Sequence, residues 1–236
     1  MKKTLQTFRY LSKDFSRMII IGFVSILVSG AITVLIFHLT GGNNPVYRDV
    51  VFTAPFELTA GVFALLFGLL LFIGNFKVTL ANGISRKTFL LANLSAAGII
   101  AAAFSIFNLT SVQIHAGFWN FILFSVVFYP DINWTGLLIL QFALYFLLIM
   151  IGWFITLAYY RSSVLVKWII SLSPVGLYYL LRVVNALSGG ATFTSIWIYF
   201  HWSTFNPYRT GISFLAYAAI LYGLVYLLIR RAPLKD

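Results

Sequence analysis

Charged residues divide this chain into long uncharged stretches, at 18–47, 58–76, 88–130, 132–160, 168–181, 183–208 and 210–229. Crossing a bilayer's hydrocarbon core takes a helix of roughly 20 apolar residues, and most of these stretches can supply one. The pattern predicts an all-α polytopic membrane protein with spans at 18–39, 56–76, 88–110, 134–160, 164–187 and 211–229. Two further segments are apolar or aromatic but do not fit as spans. Residues 118–129 are apolar but too short to cross. Residues 191–206 are aromatic and only weakly apolar. Counting either one alone as a seventh span would reverse everything after it. Both are therefore expected on the outer side as interfacial or re-entrant helices. Trp119, Trp134, Trp197, Trp202, Tyr129 and Tyr199 would form an aromatic belt there.

Composition supports this reading. Hydrophobic residues make up 61% of the chain and charged residues 9%, against roughly 25% charged in soluble domains. So few charges cannot cover a soluble surface of this size. With six spans both termini share a side, and that side holds all 16 Lys and Arg except Arg48, Arg182 and Arg209. The positive-inside rule then puts both termini in the cytoplasm. In a membrane chain the net charge of +11 reflects Lys and Arg held at a cytoplasmic face and its anionic lipids, and does not call for nucleic acid. Cys is absent, so disulfides and thiolate metal sites are excluded. The length suits a single membrane domain over 1–236 and leaves no room for a soluble catalytic domain. The N-terminus lacks the features of a cleaved signal, because its apolar run is span-length and no clean small-x-small site follows.

Before the first span, Leu5, Phe8, Leu11 and Phe15 recur at spacings of three and four among Lys2, Lys3, Arg9, Lys13 and Arg17. That spacing predicts a basic amphipathic helix over 1–17 on the inner leaflet, or simply a charged topogenic flank. The loop at 77–88 is short. Asn82-Gly83 is a turn or helix-ending pair, Ser85 can cap the next helix, and Arg86 and Lys87 follow. Spacing alone allows a well-capped hairpin or a docking site for a partner.

The string Asn82-Gly83-Ile84-Ser85-Arg86-Lys87-Thr88-Phe89 resembles the loop between the second and third spans of bacterial ABC type 2 permeases. It is closest to the small six-span permeases of Gram-positive bacteria. The layout is also similar, with an amphipathic start, six spans, cytoplasmic termini and an outer re-entrant element before the last span. The resemblance implies a permease subunit in the bacterial plasma membrane. It would act as a homodimer or heterodimer with two cytoplasmic ATPase subunits and export an amphipathic peptide, lipid or drug. Leu80, Asn82, Gly83, Ile84, Ser85, Arg86 and Lys87 would form the coupling element that docks on the ATPase. ATP and Mg would bind that partner, and the chain itself would hold no cofactor. Residues 191–206 would match the family's re-entrant hairpins.

Catalytic motifs are missing from the sequence. There is no phosphate loop, so the chain is not expected to hydrolyse nucleotide. His38, His115 and His201 have no partner at zinc-site spacing. Gly211-Ile212-Ser213-Phe214 is too loose an echo of a nucleophile motif to indicate a protease. Four residues are candidates for a translocation path: Glu57, Pro174, Arg182 and His201. Glu57 follows Pro55 and fits helix-start chemistry, or a proton or cation site in an outer vestibule. Arg182 can snorkel outward or hold an anionic group. Pro174, with Gly176, marks either a hinge or a static kink. Ala92, Ser95, Ala96, Gly98 and Ala102 allow close packing of the third span. Two other classes compete with the permease. An ion-coupled secondary transporter should carry an internal repeat with matched broken helices, and only the fifth span is broken. A non-transport scaffold or immunity protein needs no ATPase.

Overall fold

The computed structural model describes residues 16, 19–28, 31–32, 35, 55–116, 125, 129, 132–188 and 206–230. Expectations for 1–15, for 191–205 including His201, and for most of 118–129 lie outside them. Among the described residues the regular structure is entirely helical. The helices are α1 (Ile19–Val28), α2 (Pro55–Ala81), α3 (Arg86–Ala116), α4 (Trp134–Arg161), α5 (Val164–Leu187) and α6 (Pro207–Arg230).

Among the described residues, three helices are long and apolar enough to cross a membrane. They are α3 through its Arg86–Thr110 portion, α4 and α6, at 25, 28 and 24 residues. At about 1.5 Å per residue each exceeds the roughly 30 Å of a hydrocarbon core. Their outward residues are large and apolar, including Leu91, Ile99 and Ile106 on α3 and Ile212, Ile220 and Leu227 on α6. An aqueous surface would leave such rows unsatisfied, whereas lipid accepts them. The chain is therefore a membrane-embedded helical protein.

The helices extend past their apolar runs because backbone hydrogen bonding stops at caps and not at the hydrophobic edge. α2 continues through Lys77 to Ala81 and ends in a Schellman motif. There Gly83 N–H donates to Leu80 O at 2.9 Å and Ile84 N–H donates to Thr79 O at 3.2 Å. The motif needs a left-handed residue, and Gly83 has φ +72°. α6 starts at Pro207, four residues before the expected span. Asn206 Oδ1 accepts from the N–H groups of Tyr208 (3.0 Å) and Arg209 (3.3 Å), satisfying first-turn donors that have no intrahelical acceptor.

α4 is the centre of the bundle and packs against α2, α3 and α6. α2, α4 and α6 run in one direction. Glu57 meets Gln141 near their starts, Phe72 meets Trp153 further along, and Arg161 meets Leu228 at the ends of α4 and α6. α3 runs the opposite way, with Asn108 beside Tyr145 and Arg86 beside Arg230. Consecutive membrane crossings alternate in the same way.

The closest approach is between α2 and α4. A Cβ added at Gly68 would lie 2.4 Å from Ile149 O and 2.9 Å from Gly152 Cα. One added at Gly152 would lie 2.7 Å from Leu65 O. Two glycines facing each other let the backbones touch, as small residues do between membrane helices. Thr156 Oγ1 donates to Leu69 O at 3.0 Å across the same seam. Below it Phe72, Phe76, Phe89 and Trp153 form an aromatic cluster, with Phe72 5.3 Å from Phe89 and 5.1 Å from Trp153 between ring centroids. α1 joins the opposite half through Phe23, stacked 4.5 Å from Phe107. In the small-residue stripe of α3, Ala92 and Ala96 are buried, Ser95 is exposed, and a Cβ at Gly98 would touch nothing. The stripe is not where two helices approach most closely.

Candidate functional site

The bundle has two chemically distinct ends. One end gathers Arg86, Lys87, Arg161, Lys167 and Arg230. The opposite end holds Glu57, Asn133, Arg209 and the buried polar side chains of α3 and α4.

At the basic end, residues 82–85 connect α2 to α3 with little freedom. Asn82 Nδ2 donates to Val78 O at 2.8 Å, covering a carbonyl of the last turn. Ser85 Oγ accepts from Thr88 N at 3.2 Å and lies 2.8 Å from Thr88 Oγ1. The Schellman turn and this N-cap hold the whole connection in one conformation. Asn82, Gly83, Ser85 and Lys87 are exposed, while Leu80, Ile84 and Arg86 are half-buried. Leu80 packs against the main core.

Arg86 reaches sideways to α6. Its Nη1 donates to Ile229 O at 3.1 Å and to Arg230 O at 2.5 Å. Arg161 Nη1 donates to Leu228 O at 3.2 Å. Two guanidinium groups thus bond carbonyls in the last turn of α6, where the helix dipole also favours positive charge. Sequence patterning treated Arg86 as part of a loop surface and could not show this, because the partner lies at the far end of the chain. Lys167 sits 5.1 Å from the centre of the Tyr159 ring, a cation–π contact between the end of α4 and the start of α5.

At the other end, Glu57 lies in the first turn of α2, as helix-start chemistry expects. Its carboxylate also reaches out of the helix. Oε2 accepts the Ser125 N–H at 2.9 Å, and Oε1 accepts the Ser125 hydroxyl and, at 2.5 Å, Gln141 Nε2. Gln141 and Tyr145 are one turn apart on α4, and the Tyr145 hydroxyl is bonded by Asn108 Nδ2 of α3. A continuous polar chain therefore runs Ser125–Glu57–Gln141, with Tyr145–Asn108 one turn deeper. Gln141, Tyr145 and Asn108 are at most 1% exposed. Gln141 lies 7 residues into α4, about 10 Å along its axis, so these groups are below the helix ends. Sequence reading singled out Glu57 but missed Ser125, Gln141, Tyr145 and Asn108. The available signal was a Gln and an Asn inside otherwise apolar spans.

Close by, Tyr129 Oη donates to Thr210 Oγ1 at 2.9 Å. Asn133 Oδ1 caps α4 through Gly136 N (2.9 Å) and accepts from Tyr208 Oη at 2.9 Å, which ties the starts of α4 and α6 together. Arg182 is exposed late in α5, a helix whose main packing among the described residues is against α4. α5 continues through Pro174. The described structure does not bring Glu57, Pro174 and Arg182 together. Among the described residues there is no group of three or more His, Cys, Asp or Glu that could hold a metal ion.

The fold and these sites define a membrane-embedded helical bundle with a basic, rigidly capped end and a polar cluster inside the opposite half. Comparison with family models, curated proteins and solved structures finds no match for this chain.

Proposed function

We propose that this chain is the membrane-spanning permease subunit of an ATP-driven transporter of the ABC type 2 class. It crosses the bacterial plasma membrane six times with both termini in the cytoplasm and pairs with a second permease. Cytoplasmic ATPase subunits supply the energy, and an amphipathic peptide, lipid or drug is exported. The observation that carries this reading is the mechanical character of the 82–85 turn. It exposes Asn82, Gly83, Ser85 and Lys87, is capped on both sides, and is joined through Arg86 to the end of α6. A partner pressing on such a turn moves α2, α3 and α6 together instead of bending a loop. The resemblance of 82–89 to the family's coupling loop supports the same role.

The Glu57 cluster favours a second reading, an ion-coupled secondary transporter. Co-expression separates the two. The chain should co-purify with a phosphate-loop protein encoded beside it and hydrolyse no nucleotide by itself. Transport that runs on an imposed ion gradient without that partner would sink the first reading.

A further inference from the structure

The polar cluster contains an imbalance that its internal hydrogen bonds do not resolve. The Gln141 amide gives its Nε2 to Glu57, yet its Oε1 has no hydrogen-bond partner. The Asn108 amide gives its Nδ2 to Tyr145, and its Oδ1 likewise has none. Both side chains are at most 1% exposed. Buried acceptors are rarely left unmade, and hydrocarbon offers them no donor. One orphan carbonyl oxygen thus belongs to the amide that bonds the Glu57 carboxylate, and the other to the amide that bonds the Tyr145 hydroxyl, one turn further along α4. The set is all oxygen, the donor type that hard cations prefer. Among the described residues the set offers one carboxylate with neutral oxygens, which suits one positive charge, while a divalent ion normally recruits several carboxylates.

The geometry points to a binding site for a small monovalent cation of the sodium class, formed by Glu57, Gln141 and Asn108 with Ser125 and Tyr145. Glu57 supplies the charge. Gln141 and Asn108 turn their free carbonyl oxygens to the ion. Ser125 holds Glu57 in place through its N–H and hydroxyl. Because the cluster joins α2, α3 and α4, an ion here would brace three helices at once. The site does not depend on which engine drives the protein, and its test involves no ATPase.

The test is thermal unfolding of the full chain in detergent micelles at fixed pH and ionic strength. Sodium, potassium or methylammonium chloride replaces choline chloride stepwise. The expected result is a saturable, cation-specific rise in the unfolding temperature. Glu57→Gln, Gln141→Leu and Asn108→Leu should each lower the apparent affinity by about 10–100-fold, and Asn108→Asp should keep it. Saturation by sodium but not methylammonium supports the site, and saturation by methylammonium but not sodium overturns it. If the wild-type chain responds to every salt as it does to choline, the proposal is overturned and the orphan oxygens hold water alone. It is equally overturned if a sodium response survives unchanged in both Glu57→Gln and Gln141→Leu.

Discussion

Replacing Gly152 by Ala adds one methyl group at the point where α2 and α4 touch. Its Cβ would lie 2.7 Å from Leu65 O and 2.8 Å from Gly68 Cα. Both are backbone atoms, so no rotamer change relieves the contact and the helices must separate by several tenths of an ångström. Overpacking of this kind costs about 1–3 kcal/mol. Separation also stretches the bond from Thr156 to Leu69 O, and bonds between membrane helices contribute about 0.6 kcal/mol on average. The expected loss is about 2–4 kcal/mol. Gly98→Ala is the internal control, because a Cβ there meets nothing within 4 Å. Ala is the better helix former by roughly 1 kcal/mol, so that variant should be neutral or stabilised. The assay is reversible unfolding in mild micelles titrated with dodecyl sulfate, followed by Trp fluorescence. If Gly152→Ala is as stable as Gly98→Ala, the α2–α4 seam is not packed as described.

The turn and the α6 terminus make further predictions. Gly83→Ala places a side chain at φ +72° with no compensating contact, and should destabilise by about 1 kcal/mol in the same assay. An unchanged midpoint would argue against the Schellman turn. Arg86→Gln removes the charge and the Nη1 donor shared by Ile229 O and Arg230 O, and should loosen the end of α6 by about 1 kcal/mol. Arg86→Lys should recover only part of this. Amide exchange at 226–230 reads the effect, and protection equal to wild type in Arg86→Gln would refute the cap. Single-Cys labelling should find Ser85 and Lys235 reachable only from the cytoplasm, and Asn43 and Asn133 only from outside. Labelling of Ser85 from outside would overturn the proposed orientation.

Helix positions were legible because hydropathy reports the solvent directly. The expected 164–187 coincides with α5, and 134–160 falls one residue short of α4. The expected end at 76 falls short of α2 for a physical reason: the helix runs on through Lys77 until the Schellman turn stops it, whereas the expected end at 110 matches the apolar portion of α3. Gly83 and Ser85 were readable as caps, since those roles depend on neighbouring residues. Pairing between distant residues was not readable. Nothing local to Gly68 or Gly152 shows that they face each other, when the stripe on α3 offered a more regular pattern. Nothing local to Arg86 points to carbonyls more than 140 positions away. Glu57 was visible as an ionisable group at a helix start, but the amides that make it a site come from α3 and α4.

If the turn between α2 and α3 is where a separate ATPase docks, as proposed above, chemical cross-linking should capture the contact. Asn82, Ser85 and Lys87 are exposed and can each be replaced by Cys in a chain that has none. A short bifunctional reagent is then applied to the complex with the ATPase. Cross-links to the ATPase are expected from these positions and none from Asn133→Cys at the opposite end. Lys87→Glu should lower ATPase binding severalfold while the chain still inserts. An intact complex that gives no cross-link from positions 82, 85 and 87, and that Lys87→Glu leaves unchanged, would contradict the claim.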